Sequence, residues 1–257
     1  MSEDALSNTP LRAIMWIGFF SLILSSWSVL YVMAGSHGGG GGHGAGMASG
    51  MAPGGPDFAI VAAMWALMIG AMMLPTLAPA LKVYGDLPAR SGAGPAGWLG
   101  ILLGYVAVWL PGSAAFAALQ LAATSGGFLD MGGVVTSPWL SVALLATAGL
   151  YQFSRLKGSC QNVCMSPMQY YLANWRPGLA GGLRMGVGLG ANCIGCCWAI
   201  MALAFVGGMS SLLWMGVATL FMVLEKLPEI GAWLRRPAGA VLLAMALFVA
   251  LQAAGMM

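Results

Sequence analysis

Apolar segments long enough to cross a lipid bilayer follow one another along most of this chain. A spanning helix needs about 20 mostly apolar residues, because the hydrocarbon core is about 30 Å thick. Only 7% of the residues are charged, against about a quarter in a soluble domain, so polar groups cannot cover this chain in water. The pattern predicts an all-α, polytopic transmembrane helix bundle of about seven spans. The predicted spans are 12–33, 58–81, 98–122, 138–154, 184–207, 211–227 and 238–255.

The basic residues all fall on one side of this predicted bundle. With the N-terminus inside, all ten Lys and Arg lie at the inner ends of spans or in the loops that return to that side. The opposite loops, about 34–57, 123–137 and 208–210, contain neither residue type. This asymmetry predicts a cytoplasmic N-terminus, an outer C-terminus and a multi-pass protein of a bacterial inner membrane. A net charge of only +3 gives no indication of a nucleic-acid partner.

The first outer loop, 34–57, is rich in glycine, which favours a linker over a packed structure. It also contains both histidines of the chain. Imidazole and thioether ligands together suit copper, so the loop is either a plain linker or a low-affinity metal collector. The candidate capture residues are His37, His43, Met47 and Met51.

All five cysteines lie between positions 160 and 197. On a helix, Cys193 and Cys197 are about 40° apart and Cys196 lies about 60° to the other side of Cys193, so the three thiols share one face. Cys160 and Cys164 are four residues apart and share a face if their segment is helical. That segment, Arg155 to Arg184, is too polar to span, and we expect it along the inner side of the membrane.

Small residues indicate that the thiol-bearing helix is buried. Gly182, Gly186 and Gly190 repeat every four residues, which gives a groove that admits close approach of another helix. We therefore expect the cysteine face to point into the bundle rather than into lipid.

Methionines extend this pattern of sulfur ligands. Met64, Met68 and Met72 form an i, i+4, i+8 stripe on the second span, although methionine also simply fills membrane cores. Together with the outer loop and the thiols, the stripe suggests a path of soft ligands across the bilayer. The hypothetical transit ligands are Met64, Met68, Met72, Met165, Met168 and Met201.

Three interpretations of the thiols remain open: apolar packing, thiol–disulfide redox chemistry at the Cys193–Cys196 C-x-x-C spacing, and metal binding. Metal binding is favoured, because clustering suggests a site and thiols on the cytoplasmic side are kept reduced. Soft sulfur selects Cu(I), with zinc or another thiophilic metal as the alternative.

Other chemistries find little support in the sequence. Both histidines lie in an outer loop, so no bis-histidine haem is expected within the membrane, and no nucleotide-binding motif is present. Without an inward histidine, no catalytic triad can be assembled, which favours metal handling over enzymatic activity. We interpret Glu225 and Lys226 as charged anchors at the inner interface, although Glu225 could face the site.

Several stretches resemble a known bacterial family. These are "WALMIGAMMLPTLAP", "YQFSRLKGSCQNVCMSPMQYY", "GLRMGVGLGANCIGCCWAIM" and "LLWMGVATLFMVLEKLP", within about 58–230. They resemble the predicted metal-binding integral membrane proteins grouped as domain of unknown function 2182. The resemblance implies metal binding but no reaction. Where members of that family often carry a basic residue after the second cysteine of the first motif, this chain has Met165.

The sequence thus predicts an integral membrane protein that delivers or passes Cu(I) through a buried Cys/Met site. The alternatives are a structural or assembly subunit of a larger membrane complex and a membrane thiol–disulfide oxidoreductase. Expected partners are the bilayer, the metal ion, and a membrane cuproenzyme or other membrane subunits. The predicted divisions are an N-terminal helix (1–33), the outer loop (34–57), a metal-binding core (58–230) and a C-terminal helix (231–257).

Overall fold

A computed structural model describes residues 9–35, 51–52, 55–87, 92–130, 132–208 and 211–255. These parts are almost entirely helical, and two two-residue strands form a small antiparallel pair. The elements in chain order are α1 (Thr9–Gly35), β1 (Met51–Ala52), β2 (Gly55–Pro56), α2 (Phe58–Gly85), α3 (Pro95–Ser125), α4 (Pro138–Gln152), α5 (Arg155–Met165), α6 (Pro167–Asn174), α7 (Gly178–Ala202), α8 (Ala204–Gly207), α9 (Leu212–Glu225) and α10 (Gly231–Ala253).

Five helical stretches within the described residues are long and apolar enough to cross a membrane. Two further predicted spans are shorter helices, since α4 has 15 residues and α9 has 14. Helices of that length rise only about 22 Å, less than the hydrocarbon thickness. The five long stretches are Pro10–Ala34, Phe58–Gly85, Pro95–Ser125, Gly178–Gly207 and Gly231–Ala253.

The outer surface of the bundle carries large apolar side chains. Leu24 and Tyr31 on α1 and Leu247 on α10 are exposed, as are Leu213 on α9 and Trp139 on α4. Soluble monomers rarely expose apolar surface on this scale. The surface is therefore compatible with a membrane protein.

Helix α2 lies at the centre of the bundle, and Trp65, Met68 and Met73 on it are fully buried. Pro75 has no backbone N–H, so the Ala71 carbonyl loses its usual donor in the helix. The Trp27 indole on α1 donates to this carbonyl over 3.0 Å, which ties α1 to α2.

Helices α3 and α7 pack with their backbones in direct contact, as the glycine repeat predicts. A Cβ on Gly182 would overlap the Gly97 carbonyl, and one on Gly186 would overlap the Ile101 carbonyl. Gly104 on α3 lies equally close to the Leu183 carbonyl. Backbone contact of this kind is possible only between small residues, and it fixes α3 beside the cysteine-bearing helix.

We expect Gly186→Ala to lower the free energy of unfolding by about 1–3 kcal/mol, because the methyl group meets backbone rather than a flexible side chain. Thermal unfolding of the detergent-purified protein measures this. Gly18→Ala on α1 is the matched control, since its Cβ has no neighbour within 4 Å. Equal stability of the two variants would contradict the close α3–α7 contact.

The segment between α4 and α7 forms two short helices, α5 and α6, that dock on the bundle through buried polar contacts. The Lys157 ammonium lies 2.9 Å from the Glu225 carboxylate, and both side chains are buried. The Tyr171 hydroxyl on α6 donates to the Ala80 carbonyl on α2 over 3.0 Å. Burial raises the pKa of Tyr171, which keeps this donor protonated. The segment is therefore anchored rather than loosely attached.

Candidate metal centre

The three cysteines of α7 form one compact thiol cluster. The Sγ atoms of Cys193, Cys196 and Cys197 all lie within 4.8 Å of one another, and all three residues are buried. The Cys196 and Cys197 sulfurs are 3.3 Å apart. Spacings of three and four residues place the side chains on adjacent turns of one helix face, so this geometry follows directly from the sequence.

Groups from three other parts of the fold converge on Cys193. The Tyr105 hydroxyl on α3 lies 2.9 Å from Cys193 Sγ. The Lys226 ammonium, just after α9, donates to the same sulfur over 2.9 Å. The Met73 Sδ on α2 lies 3.9 Å away. Cys193 is therefore surrounded by a cation, a hydroxyl and a thioether in the interior of the bundle.

A second layer of hydrogen bonds fixes these groups. Thr76 Oγ1 accepts from the Lys226 ammonium over 2.7 Å and donates to the Met73 carbonyl over 2.7 Å. The Tyr105 hydroxyl donates to that same carbonyl over 3.2 Å. Because Thr76 connects the lysine, the tyrosine and the backbone of α2, the three neighbours of Cys193 are held as a unit.

The second thiol pair lies on α5, which is helical as the sequence analysis supposed. Cys164 packs against the buried core that contains the thiol cluster. The Cys160 sulfur rests against Gly195 on α7, 2.7 Å from where a Cβ would stand. Both cysteines of the pair are half-buried, in contrast to the cluster. The structure thus packs the thiols of two separated stretches against the same core.

The proposed methionine ligands are spread more widely. Met64, Met68, Met72 and Met201 are buried in the same core as the thiol cluster. Met165 is half-buried with its sulfur near Gly231, and Met168 is exposed on α6. The methionine in contact with Cys193 is Met73, which no spacing argument distinguished from its neighbours. His37, His43 and Met47 lie outside the described residues, and Met51 falls in β1, where side chains are not described.

The interpretation of Glu225 and Lys226 as interfacial anchors is wrong. Only 3% of Glu225 and 5% of Lys226 is exposed. Glu225 pairs with Lys157, while Lys226 reaches the thiol cluster. A signal was present in the sequence, because an ionisable residue in so apolar a chain is by default a candidate for a functional role.

The chemistry of this donor set fits a soft, thiophilic ion. Three sulfurs within one ion's reach, with a thioether beside them, favour Cu(I) or zinc over a hard cation. Thiolates that bind a monovalent ion leave excess negative charge in a buried site, and burying such charge is costly. The Lys226 ammonium is placed to offset it.

Comparison with known proteins agrees with this donor chemistry. The model of a protein family described as PpoB2, copper chaperone, matches residues 62–249. This range covers most of the chain, and the chain belongs to that family. The match supports the expected copper-related family but not the family name inferred from the motifs. No curated protein and no solved structure matches the chain.

Proposed function

We propose that this chain, as a member of the copper chaperone family, binds Cu(I) inside a bacterial inner membrane and delivers it to an acceptor cuproenzyme. The observation that carries the proposal is the thiol cluster of Cys193, Cys196 and Cys197, whose sulfurs lie within 4.8 Å of one another. Thiolates are the ligands that select Cu(I), and burial excludes competing water and oxygen ligands. Zinc and other thiophilic ions are the competitors that a test has to include.

Copper transfer in this proposal uses the second pair of thiols. Cys160 and Cys164 pack against the core that contains the cluster, so we expect an ion to pass from one thiolate to the next without being released as a free cation. Cys160 and Cys164 are more exposed than the cluster, which favours them as the side from which copper arrives or leaves. Exchange between adjacent sulfurs avoids placing a bare cation in a low-dielectric interior.

The proposed route of copper across the membrane uses the predicted topology of seven spans. In this topology the N-terminus is in the cytoplasm and the C-terminus is outside. The position of all ten Lys and Arg on one side supports it. The core of 58–230 carries the site, between an N-terminal and a C-terminal helix. In this path the residues His37, His43, Met47 and Met51 collect metal outside, and the buried methionines Met64, Met68, Met72 and Met201 pass it inward, with Met165 and Met168 on the inner side.

A competition experiment tests the proposal. Purified protein is reduced, titrated with Cu(I) under anaerobic conditions, and challenged with a chromophoric Cu(I) chelator and with excess Zn²⁺. We expect the protein to hold Cu(I) against both competitors. Protein that loses all its copper to the chelator, or that prefers Zn²⁺, would remove copper delivery as the function.

Met73 provides a finer prediction, since its thioether sulfur lies 3.9 Å from the Cys193 sulfur. We expect Met73→Leu to lower the Cu(I) affinity about tenfold, the lower end of the effect of groups that support a metal site. Met185→Leu is the matched control, because Met185 is equally buried but lies two turns from Cys193 on α7. An equal loss of affinity in both variants would show that packing, and not the thioether, is responsible.

A further inference from the structure

A cavity lies between α5 and the beginning of α10, and none of the cysteines lines it. Its volume is about 390 Å³. Arg155, Ser159 and Asn162 line one wall, and Arg235 lines the other. The three residues on α5 are spaced i, i+4, i+7, so they form one polar stripe along a single helix face. Two guanidinium groups, a hydroxyl and an amide are thus placed around the same space.

Neither arginine has an acidic partner among the described residues. The ion pairs there join Arg12 to Asp86 and Lys157 to Glu225, so the buried carboxylate nearest in sequence is already neutralised. The Nε of Arg235 is buried and donates to no acceptor. A guanidinium has five N–H donors, and a buried donor without an acceptor is costly. The two guanidinium groups therefore make the cavity positively charged, which favours an anionic ligand.

The remaining faces of α5 are engaged elsewhere, which leaves this stripe for a ligand. The Gln161 amide donates to the Glu225 carbonyl over 2.7 Å, and the Cys160 sulfur rests against Gly195 on α7. Gly158 lets Arg235 lie against α5, because a Cβ there would stand 2.5 Å from the Arg235 Nη1. This contact with Gly158 holds the Arg235 guanidinium at one wall of the cavity, and the polar stripe on α5 lines the other wall.

We propose that this cavity binds a phosphate group, held between the guanidinium groups of Arg155 and Arg235. Arginine binds phosphate in a bidentate manner, and the Asn162 amide supplies a further donor, while the Ser159 hydroxyl donates to the Arg155 carbonyl over 3.1 Å. Trp233, two residues before Arg235, is 75% exposed, as expected of an aromatic residue at the membrane interface. Phosphate groups are abundant at that depth as lipid headgroups, and soluble phosphate reaches it from the aqueous side. Copper plays no part in the proposal, so the apo protein tests it.

The experiment measures thermal unfolding of the apo protein in detergent during titration with phosphatidylglycerol, phosphatidylcholine or inorganic phosphate. We expect phosphatidylglycerol or inorganic phosphate to raise the unfolding temperature by about 5 °C at saturation. Arg235→Gln should abolish the rise. Arg236→Gln is the matched control, because Arg236 is exposed and does not line the cavity, and it should keep the rise. Arg155→Gln gives the same test if Arg235→Gln does not fold.

The titrations also distinguish the source of the phosphate group. A rise with phosphatidylglycerol alone assigns the site to an anionic lipid, and a rise with inorganic phosphate assigns it to a soluble phosphate. Phosphatidylcholine carries a phosphate but no net charge, so a smaller rise is expected with it. No rise with any of the three, or a rise that Arg235→Gln and Arg155→Gln leave intact, would overturn the proposal.

Discussion

Replacing Cys193 with serine should reduce the Cu(I) affinity at least about 100-fold. Loss of a group that merely supports a metal ligand typically costs 10–100-fold, and Cys193 is proposed as a direct ligand. Its sulfur is also the one that Lys226, Tyr105 and Met73 all approach. Serine keeps the size and a polar group but offers a hard oxygen in place of a soft sulfur. The measurement is anaerobic competition with a Cu(I) chelator.

Cys160→Ser is the matched control for this variant. It makes the same chemical change, but the Cys160 sulfur rests against the backbone of α7 at Gly195 and lies outside the compact cluster. We expect Cys160→Ser to change the Cu(I) affinity by less than about tenfold and to slow the loss of copper to an acceptor. If both variants bind Cu(I) equally well, the cluster is not the binding site.

The second large effect is expected at Lys226. Two thiolates and one Cu(I) carry a net charge of −1, which a single ammonium cancels, and a third thiolate leaves the site more negative still. Lys226→Gln removes the positive charge but can still donate a hydrogen bond to Thr76. Because a charged hydrogen bond contributes about 1.5–3 kcal/mol, we expect the Cu(I) affinity to fall about 10–100-fold.

The control for the lysine variant is Lys82→Gln. Lys82 is an exposed lysine in the last turn of α2, so its charge faces solvent and is screened. This variant should bind Cu(I) as the wild type does. Unchanged affinity in Lys226→Gln would mean that the ammonium does not offset the charge of a copper–thiolate site. Thermal unfolding of each apo variant separates a loss of binding from a loss of fold.

The parts of this site that could be predicted from the sequence are those with local geometry. Spacings of three and four residues put Cys193, Cys196 and Cys197 on one face of a helix before any coordinate is known. The four-residue glycine repeat likewise predicted the close contact of Gly186 with another helix, now seen at α3. Both arguments need only the 3.6-residue period of a single helix.

The remaining neighbours of Cys193 could not be predicted, because they arrive from helices distant along the chain. Tyr105 is 88 residues away and Met73 is 120 residues away, so the packing of whole helices decides that they meet. Lys226 is nearer in sequence, at 33 residues, yet it looked like a loop charge at a helix end. The structure is needed to show that Lys226, which caps the C-terminal end of α9, points its side chain into the bundle.

The number of spans stays a prediction, because two of the seven predicted spans coincide with short helices. Hydrophobicity alone marked 138–154 and 211–227 as spans, but the helices there end after 15 and 14 residues. An apolar segment can be buried in protein as well as in lipid. Apolar composition alone therefore does not predict where the helix in such a segment begins and ends. The long helices α2 and α3 were predicted more closely, to within four residues at each end, although both contain internal proline.

The most direct test of the account is copper K-edge X-ray absorption of the Cu(I)-loaded wild-type protein. The account predicts a first shell of sulfur alone, with two or three scatterers at about the 2.3 Å typical of metal–thiolate bonds. It also predicts that the number of sulfur scatterers falls in Cys193→Ser. A first shell of nitrogen or oxygen, or a sulfur shell unchanged in that variant, would contradict binding at the thiol cluster of α7.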